Sequence, residues 1–349
     1  MGQAIAWGGL SANLGLSSGA TLTSVIPPFC LLILLAFAAH AAPKETIISP
    51  DGKGEFTSIQ AAVDAGATIL RIRPGAYREV LRITRPGIQL RGAGARPQDV
   101  ILTDDNSAGT AGGTTNSASV TVSGDDFYAE NLTIENTFSR TRPLAHEGSQ
   151  AVALKITGDR AVFRRVRFLG HQDTLYPNGK HCDSDRGPCT PARQYFAECY
   201  IEGNVDFIFG DALAVFDRCE IHALAHSTIM LTAQSKKYPE QQSGYVFDHC
   251  RITAEKGADH VYLGRPWRAY STVVFLSTEM PAPLEPAGWH EWEHDGKASL
   301  PTSFYAEFAS SGPGARPASR RQLTPAEAAR FATKTFLAGE DQWDPTLVH

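Results

Sequence analysis

Asp173, in GHQDTLY, and Asp206, in GNVDFIFGDALAVFDRC, each stand ten residues after a phenylalanine, Phe163 and Phe196, that opens a similar short segment. If the two segments are structural equivalents on neighbouring layers, their carboxylates lie roughly 5 Å apart. Like charges that close do not both ionise comfortably, so one pKa rises and the other falls, which is the condition for a nucleophile beside an acid. Asp206 is set among Val205, Phe207, Ile208 and Phe209, where desolvation penalises its charge. A single aspartate is most often a turn stabiliser. Two in one register, flanked by Gln172, Tyr176 and Phe209, point instead to a shared chemical task.

Such a pair needs a scaffold that repeats. Four segments align without gaps: FRRVRFL from Phe163, FAECYIE from Phe196, FDRCEIH from Phe216 and FDHCRIT from Phe247. Each reads F-x-x-[V/C]-x-[I/F], the alternation of a short strand, and FYAENLTIEN at Phe127 is a looser fifth copy. The 20 residues from Phe196 to Phe216 suit one coil of a solenoid, so the spacing predicts an all-β parallel β-helix. The interval from Phe163 to Phe196 is 33 residues, and its excess, within 177–193, is polar and rich in Gly and Pro. That composition predicts a loop bulging from the coil, in which Cys182 and Cys189 can close a small disulfide. Short helices are expected to cap the solenoid. TSIQAAVDAGA offers Thr57 and Gln60 as a capping box, and TPAEAARFATKTFLAG offers Thr324, Pro325 and Glu327, with Gly339 as a stop. No linker divides the region, so residues 42–349 are expected to form a single domain.

The first 43 residues contain no Asp, Glu, Lys or Arg and include the apolar run Phe29 to Ala39, with AHA at 39–41. This is short for a membrane span and predicts a leader over residues 1–41, although no basic residue precedes the run. A secreted or periplasmic protein, with no membrane association after leader removal, follows. The net charge of −5 over 349 residues leaves no basic footprint for nucleic acid. Five cysteines remain after the leader, and none has zinc-site spacing, so neither metal nor other cofactor is expected. Cys199, Cys219 and Cys250 fall at one position of three successive repeats. Cys219 bridged to one neighbour and three reduced core thiols both remain open.

The ordered set GAYREV (75–80), NTF (136–138), QAVAL (150–154), GHQDTLY (170–176), VDFIFG (205–210) and YLGRPW (262–267) resembles the pectin methylesterases. The resemblance spans most of the chain after the leader and implies a right-handed parallel β-helix acting on methyl-esterified pectin. It implies Asp206 as the nucleophile that forms an acyl-enzyme and Asp173 as the acid that protonates departing methanol. Gln150 and Gln172 would hold the oxyanion, and Arg265 would keep Asp206 ionised. Tyr176, Phe209 and Trp267 match aromatic positions that line the sugar groove; Thr137 is a weaker substrate-binding candidate. A monomer is expected. Two departures stand out: the longer loop beside Asp173, and Asp211, where many relatives have Asn. The extra charge is expected to raise the Asp173 pKa further or to discourage anionic, de-esterified substrate. A retaining glycosidase, a calcium-dependent polysaccharide lyase and a non-catalytic polysaccharide-binding solenoid are the competing readings.

Overall fold

The computed structural model describes residues 44–142, 148–182, 187–294, 296–315 and 318–348. The expected leader lies outside the described residues. Successive turns of the chain each contribute a strand to three parallel sheets of ten, seven and six strands. One coil runs Ala161–Arg164, Arg167–Leu169, Leu175–Pro177, and the next runs Arg193–Ala197, Tyr200–Gly203, Ile208–Gly210. Parallel crossovers of this kind take the right-handed sense that strand twist imposes.

The phenylalanine repeat is the spine of the interior. Phe163, Phe196, Phe216, Phe247 and Phe275 are fully buried and stack ring on ring, with centroid separations of 4.8, 4.8, 4.6 and 4.6 Å. Those distances match the spacing of adjacent strands, so one side chain per coil extends the ladder without strain. Phe275, outside the four aligned segments, is in register with Phe247. The looser copy at Phe127 is displaced: Ala129, not Phe127, pairs with Phe163. Phe216→Ala leaves a gap between two stacked rings and is expected to cost about 3–5 kcal/mol, measured from urea unfolding midpoints.

Two residues beyond each stacked phenylalanine the chain bends through a left-handed residue. Arg165, Glu198, Arg218, His249 and Ser277 all have φ between 45° and 54°. The conformation is uncommon for side chains with a Cβ. It is held here because each N–H donates to a carbonyl on the next coil, as Glu198 does to Asp217 at 2.9 Å and Arg218 to Asp248 at 2.9 Å. The residue after the bend points inward; in three coils it is Cys199, Cys219 or Cys250. All three are buried free thiols, so no disulfide joins the ladder. Cys219 and Cys250 donate instead to the carbonyls of Phe196 and Phe216. Cys182 and Cys189 do form a disulfide, across the antiparallel pair His181–Cys182 and Cys189–Thr190.

The helices differ in part from expectation. Ile59–Asp64 buries Ile59, Ala62 and Val63 against the first coils, but its cap is Ser58, not Thr57 with Gln60. Glu79, 21 residues on, accepts from the Ser58 hydroxyl and from the Ile59 and Gln60 N–H groups, a partner no local motif contains. The Thr324–Glu327 capping box forms at Pro325–Ala328, and the helix then breaks at Ala332 before resuming as Thr333–Leu337. This segment covers the outer face of the ten-stranded sheet, where Ala328 and Leu337 pack with Val162, Tyr195, Val215, Val246 and Val274. It therefore shields outward apolar side chains, not an open end of the solenoid.

Candidate active site

Asp173 and Asp206 sit two residues before Leu175 and Ile208, which pair across adjacent strands of the six-stranded sheet. The register expected from the repeat places them on neighbouring coils. Both have left-handed backbone, φ 65° and 51°, a conformation that aspartate tolerates better than most residues. Each therefore occupies a turn position as well, and the turn delivers its carboxylate to the outer surface, where the Asp173 N–H donates to the Val205 carbonyl at 3.1 Å.

Both aspartates line a cleft of about 480 Å³. Gln150, Gln172, Asp173, Tyr176, Asp206, Phe209, Arg265 and Trp267 all line it. Thr137 does not. It precedes the short helix Phe138–Thr141, and its N–H and hydroxyl both donate to the Asp104 carbonyl, so its polar groups are spent on a turn.

Arg265 grips Asp206 with two parallel hydrogen bonds, Nε to Oδ1 at 2.8 Å and Nη2 to Oδ2 at 2.6 Å. The planar fork fixes the carboxylate's orientation as well as compensating its charge. Arg265 is itself fixed: its N–H donates to the Thr232 carbonyl, and the guanidinium lies 4.2 Å over the Trp292 ring. The preceding Gly264 has φ 156°, and a Cβ there would lie 2.0 Å from the Thr232 hydroxyl oxygen, so only glycine lets this turn approach the sheet.

The carboxylates are electrostatically unequal. Burial pushes Asp206 above the usual carboxylate range, and the Arg265 hydrogen bonds and charge oppose that shift. Asp173 is raised well above it, first by burial and then by the Asp206 charge, with Arg265 only partly offsetting them. Asp206 thus ionises first and Asp173 holds its proton. Asp211 is not a source of this shift. Its oxygens accept from the Gly179 N–H at 2.7 Å and the Gln241 amide at 2.9 Å, which anchors the long loop.

Above the carboxylates, the Ser149 hydroxyl donates to Gln172 Oε1 at 3.1 Å, which orients that amide so that its NH₂ is the remaining donor. Along the wall, Tyr176 and Phe209 stack at 4.1 Å, and Phe209 meets Trp267 edge-on at 6.1 Å. Burial lifts the Tyr176 phenol to about 12, so it remains a neutral hydroxyl. Trp292 and residues 112–116 also line the cleft, and the motifs do not single them out. The loop was within reach: Asn116 lies four residues before Val120, and Gln150 four before Leu154, its register partner. Trp292 arrives from an irregular segment outside the repeat, and nothing local marks it.

The family model described as Pectinesterase matches residues 45–340. The chain belongs to the pectinesterase family. It is 38% identical to pectinesterase 31 of Arabidopsis thaliana over 318 residues, covering 84% of this chain and 92% of that protein. It is 37% identical over 328 residues to probable pectinesterase/pectinesterase inhibitor 17 of the same plant. That match covers 88% of this chain but spans only 60% of the relative's length. Among solved structures, pectin methylesterase from carrot superposes with a TM-score of 0.74 at 31% identity, covering 87% of this chain and 96% of that one. Pectinesterases are carboxylic ester hydrolases, and the right-handed parallel β-helix is their fold.

Proposed function

We propose that this protein hydrolyses the methyl esters of galacturonate units in pectin through an acyl-enzyme. The observation that carries the reading is the unequal pair: Asp206 gripped by the fork of Arg265, beside a buried Asp173 whose carboxyl is pushed well above the usual range by burial and by the Asp206 charge. An Asp206 oxygen attacks the ester carbonyl carbon, and the Gln150 and Gln172 amides donate to the oxyanion that forms. Collapse breaks the bond to the methoxy oxygen, which leaves as methanol with the proton of Asp173. The Asp173 carboxylate then takes a proton from water; the resulting hydroxide attacks the mixed anhydride, freeing the galacturonate and regenerating Asp206. Tyr176, Phe209 and Trp267 offer flat apolar faces to the pyranose rings.

The rival readings fit less well. In a calcium-dependent lyase the carboxylates hold the ion, but both Asp206 oxygens are engaged by Arg265. Among the described residues, the one group of three potential metal ligands is Cys182, Cys189 and Asp211, and its two sulfurs are joined in a disulfide. A retaining glycosidase has a similar carboxylate spacing but no use for amides aimed at a carbonyl oxygen. The same reading includes export after removal of residues 1–41 and action as a monomer formed by residues 42–349.

The test is incubation of the purified protein with highly methylated pectin, with and without chelator. Methanol release matched by acid release, without chain shortening and insensitive to chelator, is the expected outcome. Polymer shortening, or loss of activity with chelator, would replace this reading with one of the rivals.

A further inference from the structure

The motif NTF (136–138) has no part in the reaction drawn above, since Thr137 spends its polar groups on a turn. Its first residue is placed differently. Asn136 is buried, and its amide is fully engaged: Nδ2 donates to the carbonyls of Asn106, Ser117 and Val152 at 2.8, 3.1 and 3.1 Å, and Oδ1 accepts from the Phe138 N–H at 3.0 Å. Asn106 and Ser117 bracket the excursion whose residues 112–116 line the cleft, and Val152 lies two residues after Gln150. On the esterase reading of the cleft, we propose that Asn136 is a positioning residue for the oxyanion donor Gln150: it clasps the base of the excursion to the segment that carries that amide.

The excursion runs from 105 to 119, whereas the equivalent connection two coils later is only 170–174. A longer connection has more freedom to lose, so it is rigid only where its ends are tied. Its first turn is fixed by the capping box of Ser107 and Thr110. From there it holds the Gln150 segment by the backbone. The Ala108 and Gly109 N–H groups donate to the Gln150 and Gly148 carbonyls at 2.8 and 3.0 Å, and the Ser119 N–H donates to the Val152 carbonyl at 3.0 Å. Ser117 Oγ accepts from the Val152 N–H at 3.1 Å. On the opposite side the Ala151 N–H donates to the Gln172 carbonyl at 3.2 Å. The backbone beneath Gln150 thus rests on the excursion, and both ends of the excursion rest on Asn136.

The chemistry explains why such a clasp matters. An amide stabilises the oxyanion only when its N–H already lies within hydrogen-bond reach of the place where the charge develops. A shift of about 1 Å in a positioned group can cost on the order of 10² in rate. Because the oxyanion exists only along the reaction path, a loosened Gln150 shows itself in kcat.

The test is a double-mutant cycle on kcat for methanol release from methylated pectin. Asn136→Ala is expected to lower kcat roughly tenfold to a hundredfold in the wild-type background. Added to Gln150→Ala, it should lower kcat by less than about twofold more, since the donor it positions is gone. Ser117→Ala deletes the acceptor of the Val152 N–H and leaves Asn136 in place; it should show the same non-additivity at smaller size, and it decides the matter if Asn136→Ala does not fold. Equal losses in the two backgrounds, or an unchanged kcat in Asn136→Ala, would overturn the positioning role, and so would a Gln150→Ala variant with wild-type kcat. Amide hydrogen exchange on the same variants needs no turnover. Faster exchange at 107–119 and 150–152, with wild-type protection in the strands Leu213–Asp217 and Gly244–Asp248, is expected. Unchanged exchange at 107–119 would overturn the clasp. Wild-type protein that releases no methanol overturns the esterase reading, and the exchange pattern still decides the clasp.

Discussion

Asp206→Ala is expected to reduce methanol release from methylated pectin by about four orders of magnitude or more, the scale seen when a covalent nucleophile is removed. The carboxylate is the group that attacks in the proposed cycle, and the aspartates are not interchangeable, because only Asp206 is gripped by Arg265. The same substitution leaves the Arg265 guanidinium without its carboxylate partner, so folding must be checked beside activity. Asp206→Asn keeps the shape of the side chain and is the companion variant. Both should bind a methylated oligomer while failing to turn it over, since the aromatic wall of Tyr176, Phe209 and Trp267 is untouched. Turnover by Asp206→Asn near the wild-type rate, in protein shown to be free of deamidation, would remove Asp206 from the nucleophile's role.

The second large effect is in pH. As pH falls through the pKa of Asp206, raised by burial against the pull of Arg265, the nucleophile is protonated and the rate declines. As pH rises through the pKa of Asp173, raised well above the ordinary 3.8 by burial and by the Asp206 charge, the acid is lost. The expected profile of kcat/KM is a bell whose two apparent pKa values belong to the coupled pair. Stability carries the same signature. Because the folded pKa of Asp173 lies above its unfolded value, the folded state binds the proton more tightly. That contribution is fully present below the unfolded pKa and is lost as pH rises through the folded one. Asp173→Asn cannot ionise, so at neutral pH it should melt at a higher temperature than wild type, while kcat falls roughly 10²–10⁴-fold. The two melting curves should converge at pH values below about 4, where Asp173 is protonated in both states. A variant less stable than wild type at neutral pH would contradict the buried-acid assignment.

Much of this was legible because a solenoid translates sequence interval into spatial stacking. Phe163, Phe196, Phe216 and Phe247 share a residue type because each meets the next coil's copy at strand spacing, so their alignment already implied the ladder. The same offset carried Asp173 and Asp206 into one register, and the family's motifs named Gln150, Gln172, Arg265 and the aromatic wall. The readings that failed depended on partners distant in sequence. The first helix is capped by Ser58 with Glu79 as a further acceptor, and Thr137 spends its hydrogen bonds on Asp104. The displaced register at Phe127 has a similar origin, because a two-residue slip keeps the alternation of side chains and so leaves no mark in a short motif.

By itself, then, the chain's sequence determined the β-helix, the stacking of its coils and the pairing of the two carboxylates, all consequences of a periodic pattern that strand geometry converts directly into distance. Only the tertiary structure decided which carboxylate Arg265 grips, what Trp292 does beneath Arg265, and that Asp211 is bound into the framework of the long loop. Those outcomes turn on burial and on hydrogen bonds between residues far apart in the chain, and periodicity carries no information about either.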